Sequence, residues 1–472
     1  MASHRLAIHW FRRDLRISDN RALRAAVDHA RELLPVHVLS DWIGHHPWTG
    51  PKRQQFLCGS LASLSDDLER IGARLLLRSG DAVREISRLL DESGATLLTC
   101  NLDPDPFGRQ QERQIEALCH QQGVEFLACH DVSLHPPAEA LTLKGGPFRV
   151  FTPYSKAWGA LEKPEPVPRP RKITSPGHPT SLPLPGLDHW RINSRHGSHP
   201  IIEAGEPAAR RRLDHAIKQV LAGYAGHRDQ PAADPGTSRL SQDLRWGLLS
   251  PRTVYARAER ALADAPDSRS RQGIDAFIRQ LAWREFYFAI LTHYPEVLET
   301  EFNPDWRGLP WNGPGPAFEA WCAGRTGFPI VDAGMRELIA TGHMHNRLRM
   351  ITAMFLTKDL RVDWRLGEQF FMQHLLDGEI ASNNGGWQWS AGTGADAAPY
   401  FRIQNPWLQG ARHDSQGDYI RRWIPELRDI PTPQLMKPPE SGHPISPGYP
   451  APIVDHATER RRTLAMFKRH RP

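Results

Sequence analysis

A chain of 472 residues exceeds a single hydrophobic core, so two domains of unlike type are expected. Its 40% hydrophobic and 24% charged residues exclude a disordered or low-complexity protein. The net charge of +6 suits a polyanionic partner or plain solubility equally well, and no stretch approaches the roughly 18 apolar residues of a membrane span.

The five cysteines (Cys58, Cys100, Cys119, Cys129, Cys322) are odd in number and form no CxxC, so neither a disulfide framework nor a metal site is expected and a reducing cytoplasm fits. The start, MASHRLAIHWFRRDLR, carries charges through its short apolar run and does not read as a signal peptide. In chain order, residues 6–11, 35–42, 74–77, 95–100 and 125–129 read as strands, with helices over 21–34, 54–71 and 109–122. This alternation predicts a doubly wound parallel α/β domain over residues 1–132. WFRRDLRISDN follows the first strand where a GxGxxG would stand, so a glycine turn for dinucleotide phosphates is not expected there. Proline-dense sequence from about 161 to 207 predicts a connector, bounded at 133–206. Helical periodicity then dominates to about Trp423, within a helical domain expected over 207–472, and the basic tail HATERRRTLAMFKRHRP predicts a helix with a frayed end.

Four stretches of the helical half carry chemistry. GTSRLS at 236–241, followed by SPR at 250–252, offers hydroxyls, amides and arginine for a phosphate cradle, while a pair of helix caps is the competing reading. Tyr224 and Arg228 precede it one helical turn apart. In QLAWREFY, Gln280, Trp283, Arg284 and Tyr287 share a helical face that suits base stacking with edge hydrogen bonds, against packing as the alternative. In HMHNRLRMITAMF, Asn346, Arg349 and Met350 share a face, whereas His343 and His345 would diverge on a helix. Arg349 needs an anion if buried, and LLDGEIASNN offers Asp377 and Glu379. Nine of the fifteen tryptophans lie at or beyond Trp283; Trp311, Trp364 and Trp387 each read individually as core or lining residues. The stretch ASNNGGWQW at 381–389 sets paired amides and a paired-glycine bend beside Trp387 and Trp389.

Together these motifs resemble the cryptochrome/photolyase flavoproteins, and specifically the class I cyclobutane pyrimidine dimer (CPD) photolyases. The resemblance runs from WFRRDLRISDN to RRWIPELRD and is strongest in GTSRLS, WREFY, TGFPIVDAGMRELIATGHMHNRLRMITAMFLTKDL and DGEIASNNGGWQWSAGTGADAAPYFRIQNP. It implies an N-terminal α/β antenna domain and an all-α C-terminal domain that holds FAD and binds DNA. It implies that Tyr224, Thr237, Ser238, Arg239, Leu240 and Ser241 hold the FAD phosphates and neighbouring groups. Trp283, Asn346, Arg349, Asp377, Gly378, Glu379 and Asn383 complete the cofactor set, with Arg349–Asp377 an ion pair and Asn383 facing flavin N5. Trp387, Trp364 and Trp311 would form the photoreduction chain. Arg228, Gln280, Trp283, Arg284, Tyr287, Asn346, Arg347, Met350, Trp389 and Gln409 would contact damaged DNA. The implied reaction is light-driven electron transfer from reduced FAD, with Asn383, Gln280 and the three tryptophans taking part.

Two positions depart from the pattern. Gln280 stands where CPD photolyases carry Glu; Gln is usual in (6-4) photolyases, but those carry histidine near Asn346, and this chain keeps the CPD-like HNR. Glu379 replaces the second Asp of DGD. NLDPDPFGRQQER lacks the Asn–Glu pair of folate binders, so a folate, a deazaflavin or no antenna chromophore remains open, with His45 or His46 as pocket candidates. UV-damaged DNA is the expected partner, with no membrane, no obligate protein partner and a monomeric, cytoplasmic chain. A cryptochrome-type photoreceptor and a flavin-free nucleic-acid binder are the competing readings.

Overall fold

The computed structural model describes residues 3–177, 179–193, 199–440 and 442–470. Five parallel strands form one sheet: β1 (His4–Phe11), β2 (Ala30–Leu39), β3 (Leu76–Ser79), β4 (Leu97–Asn101) and β5 (Glu125–Cys129), in the order β3-β2-β1-β4-β5. Helices α1 (Arg21–His29), α2 (Pro51–Glu69), α3 (Ala82–Ser93) and α4 (Pro106–Gln122) make the crossovers. The side chains of Asn20, Asp81 and Asp105 accept hydrogen bonds from the first turns of α1, α3 and α4, fixing where each starts. The helix expected over 21–34 stops at His29. Pro35 disfavours helix in the residue before it, and β1 recruits 30–37 by pairing His4 with Ala30 through Phe11 with His37.

Strand order changes direction between β1 and β4, where open α/β sheets commonly take ligands at their carboxyl ends. Here that crevice is filled. Arg12 pairs with Glu112, Arg13 donates to Asp103 at 2.7 Å, and Asn101 donates to Asp14 at 2.6 Å. A side chain at Gly108 would meet Asp103 Cβ at 2.5 Å.

The proline-dense connector is strapped onto the sheet. Leu33 N–H donates to Thr174 at 2.9 Å and Leu182 N–H to Leu77 at 2.9 Å, which covers the edge strand β3. Trp190 is fully buried, stacks on Trp42 at 6.1 Å and donates to the Ser40 carbonyl.

Helices make up the rest of the described chain. The longest, Ser268–His293, packs against Phe151–Ala160, Pro251–Ala263 and Ile380–Ala391. One hydrophobic core runs from Phe11 and Phe56 of the sheet domain to Leu281 and Phe286 of this helix, so the two halves bury their apolar faces together. Glu285 ties the same helix to the segment that follows β5, accepting from the Leu134 and His135 amides and from Trp158 Nε1 at 2.8 Å. Among the described residues no helix is long and apolar enough to cross a membrane.

Candidate flavin and nucleic-acid site

The site assembles around the turn that enters helix Ile380–Ala391. Arg349, on helix Asn346–Met354, donates from Nη2 to both Asp377 oxygens at 3.0 and 2.8 Å. Burial opposes ionisation of Asp377, yet the charges of Arg349 and His343 and a hydrogen bond from the Ser241 hydroxyl hold its carboxyl below the usual range. Arg349, Asp377 and Ser241 are thus brought together across 136 residues or fewer, as one charged, hydrogen-bonded group.

The next two residues are held by arginines, of which sequence reasoning singled out only Arg284, as a DNA contact. The Gly378 carbonyl accepts from Arg53 Nη2 and from Arg245 Nε, both at 2.8 Å. Glu379 pairs with Arg13 of the β1 loop, and Arg284 Nη2 lies 3.8 Å away. Against its burial, Arg13, Arg245 and Arg284 keep Glu379 ionised. The longer side chain at 379 therefore points its carboxylate toward the sheet domain.

ASNNGGWQW forms no bend: it lies within the continuous helix Ile380–Ala391. Tyr287 explains the first glycine, since a Cβ on Gly385 would meet the Tyr287 ring at 2.1 Å. A Cβ on Gly386 would meet nothing within 4 Å, so the face shared by Asn383 and Gly386 borders open space. Asn383 donates from Nδ2 to the Glu368 carbonyl at 3.0 Å, which fixes the amide and turns Oδ1 the other way. Glu368 is itself buried, and burial pushes its carboxyl up to about 8. Trp387 is 2% exposed and Trp389 is half-buried; two positions apart on a helix, they face opposite sides.

The three singled-out tryptophans are neighbours. Trp364 Nε1 and Trp311 Nε1 both donate to the same oxygen of buried Glu301, at 3.1 and 3.2 Å. One turn beyond Trp364, Gly367 abuts Trp387: a Cβ there would lie 2.1 Å from Trp387 Cη2. Trp364 is fully buried with Arg365 over its ring at 4.5 Å, whereas Trp311 is partly exposed. The path runs from the helix of Asn383 toward the surface.

The expected DNA-facing residues divide. Gln280, Trp283 and Tyr287 are half-buried on one side of the long helix, and Phe151 stacks on Trp283 at 3.7 Å and 10°. Arg284 turns inward, donating to the Val132 carbonyl at 2.6 Å and the Leu244 carbonyl at 3.3 Å. Asn346 is exposed; its amide and Arg347 Nη1 both reach Met350 Sδ, and Arg347 pairs with Asp229 at 2.8 Å. Arg228 ends the short helix Tyr224–His227 and, like Trp389 and Gln409, is half-buried. Tyr224 packs edge-on to Phe277 at 5.8 Å, and burial pushes its hydroxyl up to about 12.

In GTSRLS, Leu240 is buried, Arg239 has φ +52°, and Thr237, Ser238 and Arg239 line a cavity of about 370 Å³. SPR does not join the cradle. Ser250 is a helix cap accepting from the Arg252 amide at 3.0 Å, and fully buried Arg252 is spent on Asp19 and Asp131. At the antenna candidates, His45 lies 3.2 Å from Gln373 Nε2 and His46 packs on Trp42 at 5.1 Å.

This architecture defines a class. Residues 7–171 match the family profile described as DNA photolyase, and residues 277–469 match the FAD binding domain of DNA photolyase. The chain belongs to the photolyase/cryptochrome family. A deoxyribodipyrimidine photo-lyase of Agrobacterium fabrum is 40% identical over 98% of this chain and 97% of its own length. The crystal structure of a bacterial class III photolyase from Agrobacterium tumefaciens superposes with a TM-score of 0.90 at 38% identity, covering 100% of this chain and 98% of that one. A Synechocystis cryptochrome superposes at 0.88 with 28% identity, covering 98% and 99%, so the fold alone does not separate repair from signalling.

The residues present fit a flavin dinucleotide. The Asn383–Gly386 face leaves room for a flat ring, the Arg349–Asp377 pair stands beside it, and hydroxyls and amides of the GTSRLS loop suit phosphates. FAD is the cofactor of this chain.

Proposed function

We infer that this chain repairs cyclobutane pyrimidine dimers in DNA with light. The observation that carries this reading is end-to-end correspondence with deoxyribodipyrimidine photo-lyases, and Trp283, Asn346, Met350 and Trp389 support it as residues that would face the dimer. Reduced FAD supplies light absorption and the electron, which is why no nucleophile or acid–base dyad is needed. The chain supplies placement and electrostatics. Tyr224 and residues 237–241 hold the phosphates, and Arg349–Asp377 anchors the cofactor beside Gly378. Asn383, its amide nitrogen spent on Glu368, presents Oδ1 as an acceptor toward the ring. Trp387, Trp364 and Trp311 conduct electrons inward to keep the cofactor reduced, and Glu301 stabilises positive charge on the outer two.

UV-damaged DNA is the substrate in this reading, met by the net charge of +6, with the dimer swung out of the duplex at a cost of a few kcal/mol, as is general for photolyases. Trp283 and Trp389 would stack on the dimer, while Gln280 can hydrogen-bond but not protonate it. The chain acts as a monomer, and a folate or deazaflavin antenna is an optional addition. Reduced, FAD-loaded protein under blue light should repair CPD oligonucleotides and leave (6-4) oligonucleotides untouched; the reverse pattern would move the chain to (6-4) repair. Flavin bands with no repair of either lesion would favour a photoreceptor.

A further inference from the structure

Behind the GTSRLS loop, the cavity of about 370 Å³ is closed on one side by helix Glu206–His215 and on another by Glu337 and His345. His345 caps helix Asn346–Met354: its Nδ1 accepts from the Arg347 N–H at 3.1 Å. An acceptor at Nδ1 places the hydrogen of the neutral ring on Nε2. Burial pulls the ring down to about 4, so it is neutral at physiological pH. The residue is 7% exposed, it lines the cavity, and its Nε2 has no partner among the described residues. A buried donor left unpaired is costly, and native structures rarely carry one without a use.

The other walls say what acceptor this donor fits. Thr237, Ser238 and Arg239 line the same cavity and contribute two hydroxyls and a cation. Arg211 and Arg212 stand there too but are committed to Glu203 and Asp243, at 2.8 and 2.5 Å. Of the acids lining the cavity, Glu203 is taken by Arg211 and Asp234 is exposed, while Glu337, beside His345, has its oxygens engaged by Tyr419 at 2.6 Å, His343 at 3.4 Å and the His345 amide at 3.3 Å. What remains is a donor-rich pocket suited to a phosphoryl oxygen.

We propose that His345 is a phosphoryl-binding residue whose Nε2–H donates to a diphosphate oxygen held against the Thr237–Ser238 side of the loop. This rests on the flavin reading above and adds a residue to it. The cap and the donor are separable by substitution. His345→Asn keeps a strong capping oxygen but lacks the reach, whereas His345→Gln retains a distal N–H and caps poorly. The FAD dissociation constant of the full-length holoprotein, followed by the fluorescence of released flavin, should rise about tenfold in H345N and less than about threefold in H345Q. Wild-type affinity in H345N, or H345Q binding no better than H345N, overturns the proposal. A wild-type chain that retains no FAD would instead overturn the flavin reading. Inorganic pyrophosphate distinguishes the source of the phosphoryl group. Competition with FAD assigns the site to the cofactor's diphosphate, and H345N-sensitive binding without displacing FAD assigns it to a free phosphate ester.

Discussion

The two halves of the molecule each converge on a cleft, and they treat it oppositely. In the sheet domain the crevice between β1 and β4 is filled by the Arg12–Glu112 pair and by Arg13 bound to Asp103. In the helical half, Gly386 leaves the corresponding space open beside Asn383. The charges that close the first cleft continue into the second: Arg13 also reaches Glu379, and Arg53 of α2 grips the Gly378 carbonyl. The sheet domain thus buttresses the Asp377–Glu379 turn, and the residues at its carboxyl edge are spent on that task.

The largest test of this contrast is Arg349→Ala. It leaves Asp377 buried without its cation, a loss of about 3–5 kcal/mol. FAD content after purification and the unfolding midpoint should both collapse; an FAD-loaded R349A of wild-type stability would remove the ion pair from the site. Trp364→Phe should next slow photoreduction of oxidised FAD by at least roughly tenfold, followed by absorbance under blue light. Repair by pre-reduced W364F should stay near wild type, and equal loss of both would break the division of labour along the tryptophans. Gly367→Ala forces a methyl into Trp387, costing about 1–3 kcal/mol of stability and disturbing the same path; a neutral effect in denaturant titration would contradict the packing. The buttress itself is tested by a pair. Arg53→Gln should weaken FAD binding by about tenfold, while Arg12→Gln, whose side chain fills only the closed cleft, should lower stability without changing FAD affinity. Equal FAD loss in both would erase the contrast.

The smallest effect is a pH dependence. Burial lowers the Lys358 ammonium to about 7. Between pH 7 and the ordinary value near 10.5, the unfolded chain binds the proton that the folded chain has released. Stability contributed by this site therefore rises with pH across that window, and the penalty is full below it. Lys358→Met should flatten that rise in urea titrations at pH 7 and pH 9, and an unchanged slope would exclude Lys358 as its source.

Much of this was legible in the sequence. The strand rhythm located all five strands, and the need of Arg349 for an anion pointed to Asp377 or Glu379, of which Arg349 takes Asp377. What escaped was tertiary. The Gly385–Gly386 pair reads locally as a bend, yet the helix runs through it because Tyr287 needs the missing side chain. Arg13 and Glu379 are 366 residues apart, and no local pattern announces their contact. Glu301 and Phe151 gave no signal, since a single buried carboxylate or ring acquires meaning only from the tryptophans it touches. SPR followed its competing reading, because its serine caps a helix and its arginine serves the interdomain ion pairs.

The central claim is tested most directly with an oligonucleotide carrying one thymine dimer, incubated with FAD-reduced protein in blue light and in darkness. Chromatographic recovery of the intact dithymidine strand in light alone is the predicted result. Persistence of the dimer under light, with the flavin bound and reduced throughout, would contradict the account.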